Sequence, residues 1–427
     1  MLSVRLGARN LARHRWRTGL TLAGIGVSVA LMVWTVAFMD GWMDQMVVAA
    51  TSVDTGQLEV QTAGWADKPR PYESLAVNDS LLDVIRSVPG VAAASPRVEL
   101  YGLVGHERRS QVTRILGVDP DLEANATPIV KGIREGRWLD EQSAPVGEGR
   151  EVVLGSGLAK QLEVGPGAEL VVFAEAADGS LGNDLLQVVG VVETGNSAID
   201  RGAVYLNIAD ARFLAALEGR ANAILVRTDN PEQGIEVSDA LAARLGALRD
   251  PEGAPPEAVV VRSWQELIPS LYQVIAMSKS SYWTMYMLIY LVAAVGILNT
   301  QRMSALERRR EFGVLIAIGM RPRRLFRTVL VESVVLGFAG SMIGAILGGA
   351  VSWYHATAGF DLSMLTRQGS GFSYMGVAFT DRLYASITVG SFVQPVVVML
   401  LVAVLSGLWP AWTAARLQPA PTIAGRT

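Results

Sequence analysis

The chain has no cysteine in 427 residues, which excludes disulfides, thiolate catalysis and cysteine-held metals together. The compartment stays open, because an extracytoplasmic domain of this size folds without bridges. Lysine occurs only at Lys68, Lys131, Lys160 and Lys279, whereas arginine is common, a bias that fits a GC-rich genome. The histidines His14, His106 and His355 are isolated, with no His-Glu-x-x-His run, so no metal site is expected. No Gly-x-x-x-x-Gly-Lys-Ser/Thr run occurs, and the chain therefore does not hydrolyse ATP through a P-loop. Gly155-Ser156-Gly157 departs from the Gly-x-Ser-x-Gly nucleophile elbow and reads as a strand-to-helix turn. No catalytic residue is expected.

What is present is apolar. Half the residues (50%) are hydrophobic, only 18% are charged, and the mean hydropathy is +0.31. Those values describe a few membrane spans joined to a water-soluble domain with its own core. Four runs are long enough to cross a bilayer, which takes about 20 apolar residues. They are 18–39 and 280–301, both uncharged, 328–354, which carries Glu332, and 383–412, which contains Pro395 and Pro410. The first run is too long for a signal-peptide core, and Phe38-Met39-Asp40-Gly41-Trp42 lacks a small-x-small cleavage pattern. We read it as an uncleaved anchor.

Charge sets the expected orientation. Residues 1–17, 302–327 and 413–427 together carry a net +13, against −16 for everything else. Basic flanks stay in the cytoplasm. Both termini, including an amphipathic helix at 1–17 and a tail at 413–427, and the 302–327 loop are thus expected inside. Residues 40–279 and the short loop 355–382 are expected outside.

The fold class expected is an α-helical membrane protein with four transmembrane helices and a large α+β extracytoplasmic domain between helices 1 and 2. Within 40–279, strands are expected at 56–62, 98–104, 111–118, 151–155, 169–173, 186–192, 223–227 and 258–262. Helices are expected at 80–88, capped by Asn78 or Asp79, and at 157–162 and 231–248. Short strands between glycine turns suggest a compact, barrel-like β insert at about 127–216 in a βαβ layer. The Pro- and Gly-rich stretch 249–256 reads as a turn. Arg97, Arg108, Arg109 and Arg114 are interspersed with acids in a negatively charged domain, which argues against nucleic acid as a partner.

The basic amphipathic run from Glu307 to Arg324 is trapped between two spans, well placed to take a push from a partner and pass it into the membrane. Phe312, Leu315 and Ile316 offer an apolar face, Glu311 and the arginines a polar rim, and Gly319 a helix stop. The arginines also suit lipid phosphates of the inner leaflet. Glu332, about five residues from Arg327, can pair with an arginine at the interface. Met39, Trp42, Met43 and Met46, with Met277, Met285 and Met287, read as interhelical packing, with a lipid- or substrate-binding surface as the alternative. Gly337, Gly340, Gly344 and Gly348 recur at the spacing of close helix packing.

The run Glu307-Arg308-x-x-Glu311-Phe312-Gly313-x-Leu315-x-Ala317-x-Gly319 resembles the E-R-x-x-E-I-G-x-L-x-A-x-G signature of FtsX/MacB/LolC-LolE-type ABC transporter permeases, with Phe312 where Ile is usual. Trp409-Pro410-Ala411-x-x-Ala414-Ala415-Arg416-Leu417-x-Pro419 is similar to that family's closing motif, and Val153–Gly165 to its periplasmic core domain. Ala8-Arg9-Asn10-Leu11-x-Arg13 and Met39-Asp40-Gly41 are most similar to lipoprotein-releasing members. The resemblance implies a type VII, mechanotransmitting permease in a bacterial inner membrane. Two copies, identical or sister permeases, would bind a cytoplasmic ATPase dimer that carries ATP and Mg, leaving this non-catalytic chain without a cofactor. Docking would fall on the 304–319 helix, through Glu307, Arg308, Arg310, Glu311, Phe312, Gly313, Leu315, Ile316 and Gly319. Three functions follow as expectations: extraction of lipoproteins toward a periplasmic carrier, export of a peptide, toxin or antibiotic with an adaptor and outer-membrane duct, or control of a cell-wall hydrolase.

Overall fold

The computed structural model describes residues 15–140, 149–230, 234–246, 258–361, 373–374, 377–378 and 382–417. The expected helix at 1–17 (apart from its last three residues), the Ala8–Arg13 motif, His14, the turn at 249–256 and the tail from 418 onward lie outside the described residues. The chain divides into two compact units, one holding the long helices and one built on Asp44–Val274.

Among the described residues, four helices are long and apolar enough to cross a membrane: α1 (Arg15–Thr51), α2 (Pro269–Glu307), α4 (Pro322–Ala358) and α5 (Val389–Ala415). A short helix, α3 (Arg309–Ala317), lies between α2 and α4 in the chain. α1 does not stop where its apolar run stops, because no proline stands between Asp40 and Thr51 and the single Gly41 does not end the helix. α5 starts at Val389, later than the apolar run at Leu383, because 382–383 pairs with 360–361 and a capping box at Thr388 and Ser391 opens the helix.

Lipid tails are as apolar as leucine, so helices in a bilayer gain little by hiding leucine and associate through close packing of small residues. The glycines of α4 do this work. A methyl group on Gly344 would stand 2.5 Å from the Gly26 carbonyl oxygen and 2.6 Å from Val29, and one on Gly348 would stand 2.6 Å from the Ala30 carbonyl oxygen, both on α1. Gly337 meets Ala403 of α5 in the same way. Around that seam Ile25, Val29, Met32, Val33 and Val36 of α1 pack with Tyr286, Tyr290 and Ile297 of α2 and Met399 of α5.

The other unit is organised by a ten-stranded sheet: β1 (Leu58–Thr62), β2 (Val91–His106), β3 (Arg109–Val118), β4 (Ile133–Gly136), β5 (Arg150–Gly155), β6 (Glu169–Glu175), β7 (Leu181–Val192), β8 (Ala203–Asn207), β9 (Ala223–Thr228) and β10 (Val259–Ser263). The order is β10-β1-β9-β2-β3-β8-β5-β7-β4, and β6 joins β2 to β7. The circuit β2-β3-β8-β5-β7-β6 therefore closes on itself. Its interior holds Val98, Leu100, Ile115, Val152, Leu154, Val172 and Leu186.

The barrel is not a self-contained insert at 127–216. β2 and β3 lie outside that range and supply two of its staves. β2 is long enough to serve two layers, with Ala94 in the open layer and Val98, Leu100 and Val104 in the barrel. A short sequence window shows a strand's alternation but not how many cores the strand visits.

In the open layer β1 alternates with period two. Leu58 and Val60 face the helices Asp79–Arg86 and Gly234–Gly246, where Leu82, Ile85, Val237 and Leu241 are buried. Asn78 caps the first of these helices, accepting from the Leu81 amide at 2.8 Å. Glu59 and Gln61 take the opposite face.

The end of α1 is built into this unit. The Gly56 amide donates to the Thr51 carbonyl at 2.8 Å, and Gln57, 4% exposed, donates to Thr51 Oγ1 while accepting from the Thr228 amide. The Gln57 carbonyl accepts from the Trp264 amide at 2.9 Å, just before α2 begins. Arg97 donates to the carbonyls of Val53 and Asp54 and forms a buried ion pair with Glu123 at 2.5 Å.

Candidate functional site at the break between α2 and α4

The helix that leaves the second span ends at Glu307, and Arg308 (φ −90°, ψ 9°) separates it from α3. The expected single helix over 304–319 is therefore two pieces. Hydrogen bonding nearly continues across the joint, from the Arg308 amide to the Ser304 carbonyl and from the Phe312 amide to the Arg308 carbonyl, so the two pieces meet at a tight joint. α3 ends as its sequence requires. Gly319 has φ +96°, its amide donates to the Ile316 carbonyl and the Met320 amide to the Leu315 carbonyl, the paired bonds of a Schellman cap. Pro322 then opens α4 at the first helical position, where its missing N–H is no loss.

Arg308 turns inward. Its guanidinium donates to Glu332 of α4 at 2.8 Å, with both side chains about nine-tenths buried at 11% and 10% exposure. It also lies 3.3 Å from Glu311 and 4.9 Å above the Phe312 ring. The pairing of Glu332 with an arginine holds, but the partner is Arg308, and Arg327 is exposed. Sequence distance favours Arg327, whereas the turn at Arg308 folds a residue 24 positions away onto the same point.

Phe312 is 2% exposed and sits among Leu325 and Val329 of α4 and Ala411 and Ala414 of α5. It anchors α3 to the bundle, and Gly313 is buried beside it. Of the residues expected to dock a partner, Arg308, Phe312 and Gly313 thus face inward, Leu315 and Ile316 are half-buried, and Glu307, Arg310, Glu311 and Gly319 are exposed. The apolar side that the sequence offers to a partner is largely spent on the protein's own spans, because Phe312 is the largest apolar side chain available to fill the gap beside Ala411 and Ala414. Val314 and Ile318, at 47% and 76% exposure, are the apolar residues left on the outer edge. Val314 lies three and four residues from Glu311 and Arg310, and Ile318 four residues beyond Val314, which puts them on one side of a helix, the signal that sequence reasoning passed over.

A cavity of about 210 Å³ lies beside α3, lined by Arg302, Leu306 and Arg309 on one wall and Trp409, Thr413 and Leu417 on the other. Arg302 stacks over Trp409 at 5.2 Å and Arg416 over Trp412 at 3.9 Å, the arrangement of cations held at a membrane interface by an aromatic belt. The whole assembly is mechanically simple. Arg308–Glu332 ties the start of α3 to α4, and Phe312 packs it against α4 and α5.

The methionines named for a lipid or substrate surface differ in exposure. Met43 and Met46 are buried, Met39 and Trp42 are half-buried, and Met277 and Met285 are exposed at 71% and 39%.

One span before a large α/β domain, three after it, and a short anchored helix between the second and third define a polytopic membrane protein of the permease class. Residues 18–244 match the MacB-like periplasmic core domain family and residues 283–419 the FtsX-like permease C-terminal family. The chain belongs to this family of ABC transporter permeases. It is 23% identical to the lipoprotein-releasing system transmembrane protein LolC of Xylella fastidiosa, over 99% of this chain and 98% of that protein. It is 23% identical to LolC of Neisseria meningitidis, over 95% and 93%. It is 24% identical to the macrolide export ATP-binding/permease protein MacB 2 of Aeromonas hydrophila, over 99% of this chain and 60% of that protein.

Proposed function

We propose that this permease is driven by a separate ATPase, which holds ATP and Mg, while this chain is non-catalytic and carries no cofactor. The observation that carries the reading is the Arg308–Glu332 pair, which makes α3 a lever fixed to α4 rather than a loose loop. An ATPase that moves against the edge formed by Glu307, Arg310, Glu311 and Val314 displaces the spans through that pair and through Phe312. In this reading both termini and α3 are cytoplasmic, and the Asp44–Val274 unit lies outside a bacterial inner membrane. Two copies of the permease, identical or sister, assemble with an ATPase dimer.

The work done is extraction of lipoproteins from the outer leaflet toward a periplasmic carrier, a reading supported by the lipoprotein-releasing relatives that match nearly the whole chain. Proteoliposomes carrying the permease and its ATPase, loaded with a triacylated lipoprotein and supplied with ATP, test this directly. Release of the lipoprotein into solution only with ATP is the expected result. Retention in the membrane, with ATP hydrolysis intact, refutes it. A second reading, export of a peptide, toxin or antibiotic from the periplasm, draws on the MacB relative. It predicts that hydrolysis in the same proteoliposomes rises with an export substrate and not with lipoprotein.

A further inference from the structure

The face of the sheet opposite the helices carries charge where a barrier layer would be apolar. β1 reads Leu-Glu-Val-Gln-Thr, so Glu59 and Gln61 point away from the core filled by Leu58 and Val60. Arg262 of β10 stands directly opposite Glu59 in the strand register, and Tyr101 of β2 directly opposite Arg114 of β3. These residues line a cleft of about 210 Å³, walled by Trp65 and by Glu99. A second cleft of about 380 Å³ shares Trp65, Glu99 and Tyr101 and adds Tyr72 and Glu175 at its rim.

The charges in the cleft are unequally served. Arg114 holds Glu99 through two hydrogen bonds, at 2.8 and 3.0 Å, and pairs with Asp54 as well. Arg262 reaches Asp67 at 3.6 Å. Glu59 is 7% exposed, yet its carboxyl has no hydrogen bond or ion pair among the described residues. A buried carboxyl without a partner is costly and needs a reason. A carboxyl that lines a cleft with a tryptophan and a tyrosine has one in the binding of an incoming cation, since aromatic faces and carboxylates attract the same charge.

We propose that this cleft binds an organic cation, a primary ammonium or guanidinium group of the kind borne by a small amine or by a lysine or arginine side chain, with Glu59 as its counter-ion and Trp65 and Tyr101 as its walls. The site is independent of the ATPase-driven lever. It adds a ligand-binding function to the outer domain that neither the permease fold nor α3 requires.

The groups around Glu59 set how binding depends on pH. Burial and the neighbouring Glu99 and Asp54 push the Glu59 carboxyl up to about 8, against the pull of Arg114 and Arg97. A bound cation favours the ionised carboxylate, so binding releases a proton. Affinity for a permanently charged probe should rise about tenfold per pH unit until pH 8 is reached, then level off.

The test is calorimetric titration of the full chain in detergent with n-butylammonium, the tripeptide Gly-Lys-Gly, and the neutral isostere n-butanol, at pH 6, 7 and 9. Binding of both ammonium probes but not of the alcohol, strengthening with pH, is the expected result. Tighter binding of the tripeptide assigns the cation to a polypeptide, and equal binding assigns it to a small amine. Glu59→Gln should weaken both at pH 9 by tenfold or more and flatten the pH dependence. If that variant does not fold, Tyr101→Leu and Glu175→Gln, both at exposed positions, should each weaken ammonium binding several-fold. Equal binding of the alcohol, binding unchanged in these variants, or no binding of either ammonium probe at millimolar concentration overturns the proposal.

Discussion

Glu332→Gln and Arg308→Gln, made singly and together, interrogate the joint that fixes α3 to the bundle. The two groups are 2.8 Å apart and about nine-tenths buried, so their attraction is little screened and neither is readily rehydrated. Removing one partner from such a pair leaves the other buried and uncompensated, a loss of about 3–5 kcal/mol in typical cases. Here Arg308 keeps Glu311 at 3.3 Å and the Phe312 ring, so Glu332→Gln should fall at the low end, about 3 kcal/mol, by the same reasoning. Arg308→Gln strands a carboxylate within a span and should cost more. The double variant replaces a charged pair by two amides that can bond each other, so it should cost less than the sum of the singles by about 2 kcal/mol. The assay is thermal unfolding of the detergent-solubilised chain, paired with electron-spin-resonance mobility of a label on Val314→Cys. The absence of native cysteine makes that label unique. Both singles should lower the melting temperature and loosen the label, and the double should partly restore both. Strict additivity within about 0.5 kcal/mol would show that the two residues do not act as a unit and that α3 is not held in this way.

Three further outcomes follow from the same geometry. Gly344→Ala should destabilise the chain by about 1–3 kcal/mol, because the new methyl meets the Gly26 carbonyl and Val29, while Gly296→Ala, with open space around it, should be close to neutral in the same melt. Arg97→Met should cost about 3–5 kcal/mol, since it strands Glu123 at 0% exposure and frees the carbonyls at the end of α1, and the double variant with Glu123→Leu should recover part of that loss. Burial pushes the Glu59 carboxyl up to about 8 from its ordinary value of 4.5, so the folded form holds a proton that the unfolded form releases. Its contribution is therefore complete below pH 4.5 and is lost as pH rises through 8, at up to about 1.4 kcal/mol per pH unit. Glu59→Gln should accordingly gain on the native chain as melts are moved from pH 5 to pH 8, and a constant difference across that range would contradict the assignment.

Much of the fold was legible because it rests on local signals. The four apolar runs, Asn78 as a cap, Gly319 as a helix stop and the hairpin between 98–104 and 111–118 are each written within a few residues. The glycine spacing in α4 was legible for the same reason, since a period of three or four fixes a face. Partnership across long separations was not. Glu332 looks toward Arg327 in sequence and toward Arg308 in space, and Phe312 looks like a docking residue until Ala411 and Ala414 are seen beside it. The barrel was placed in the right region but given the wrong membership, because β2 serves two cores along one uninterrupted strand. The cleft at Glu59 was invisible for a related reason. Alternation in Leu-Glu-Val-Gln-Thr predicts a polar face, and only the register with β10 and the path of β2 decide what that face meets.

The central claim is that α3 is a lever whose inner side is bound to the spans and whose outer edge receives the ATPase. The measurement that tests it most directly compares Arg310→Ala/Val314→Asp with Phe312→Ala in the reconstituted complex, scoring ATPase co-purification, transport-coupled hydrolysis and melting temperature together. The edge variant should lose the ATPase and the coupled hydrolysis with its melting temperature unchanged. Phe312→Ala should lower the melting temperature, by about 3–5 kcal/mol of stability, because it empties a buried site. Full coupling in the edge variant, with the ATPase still bound, would contradict the account.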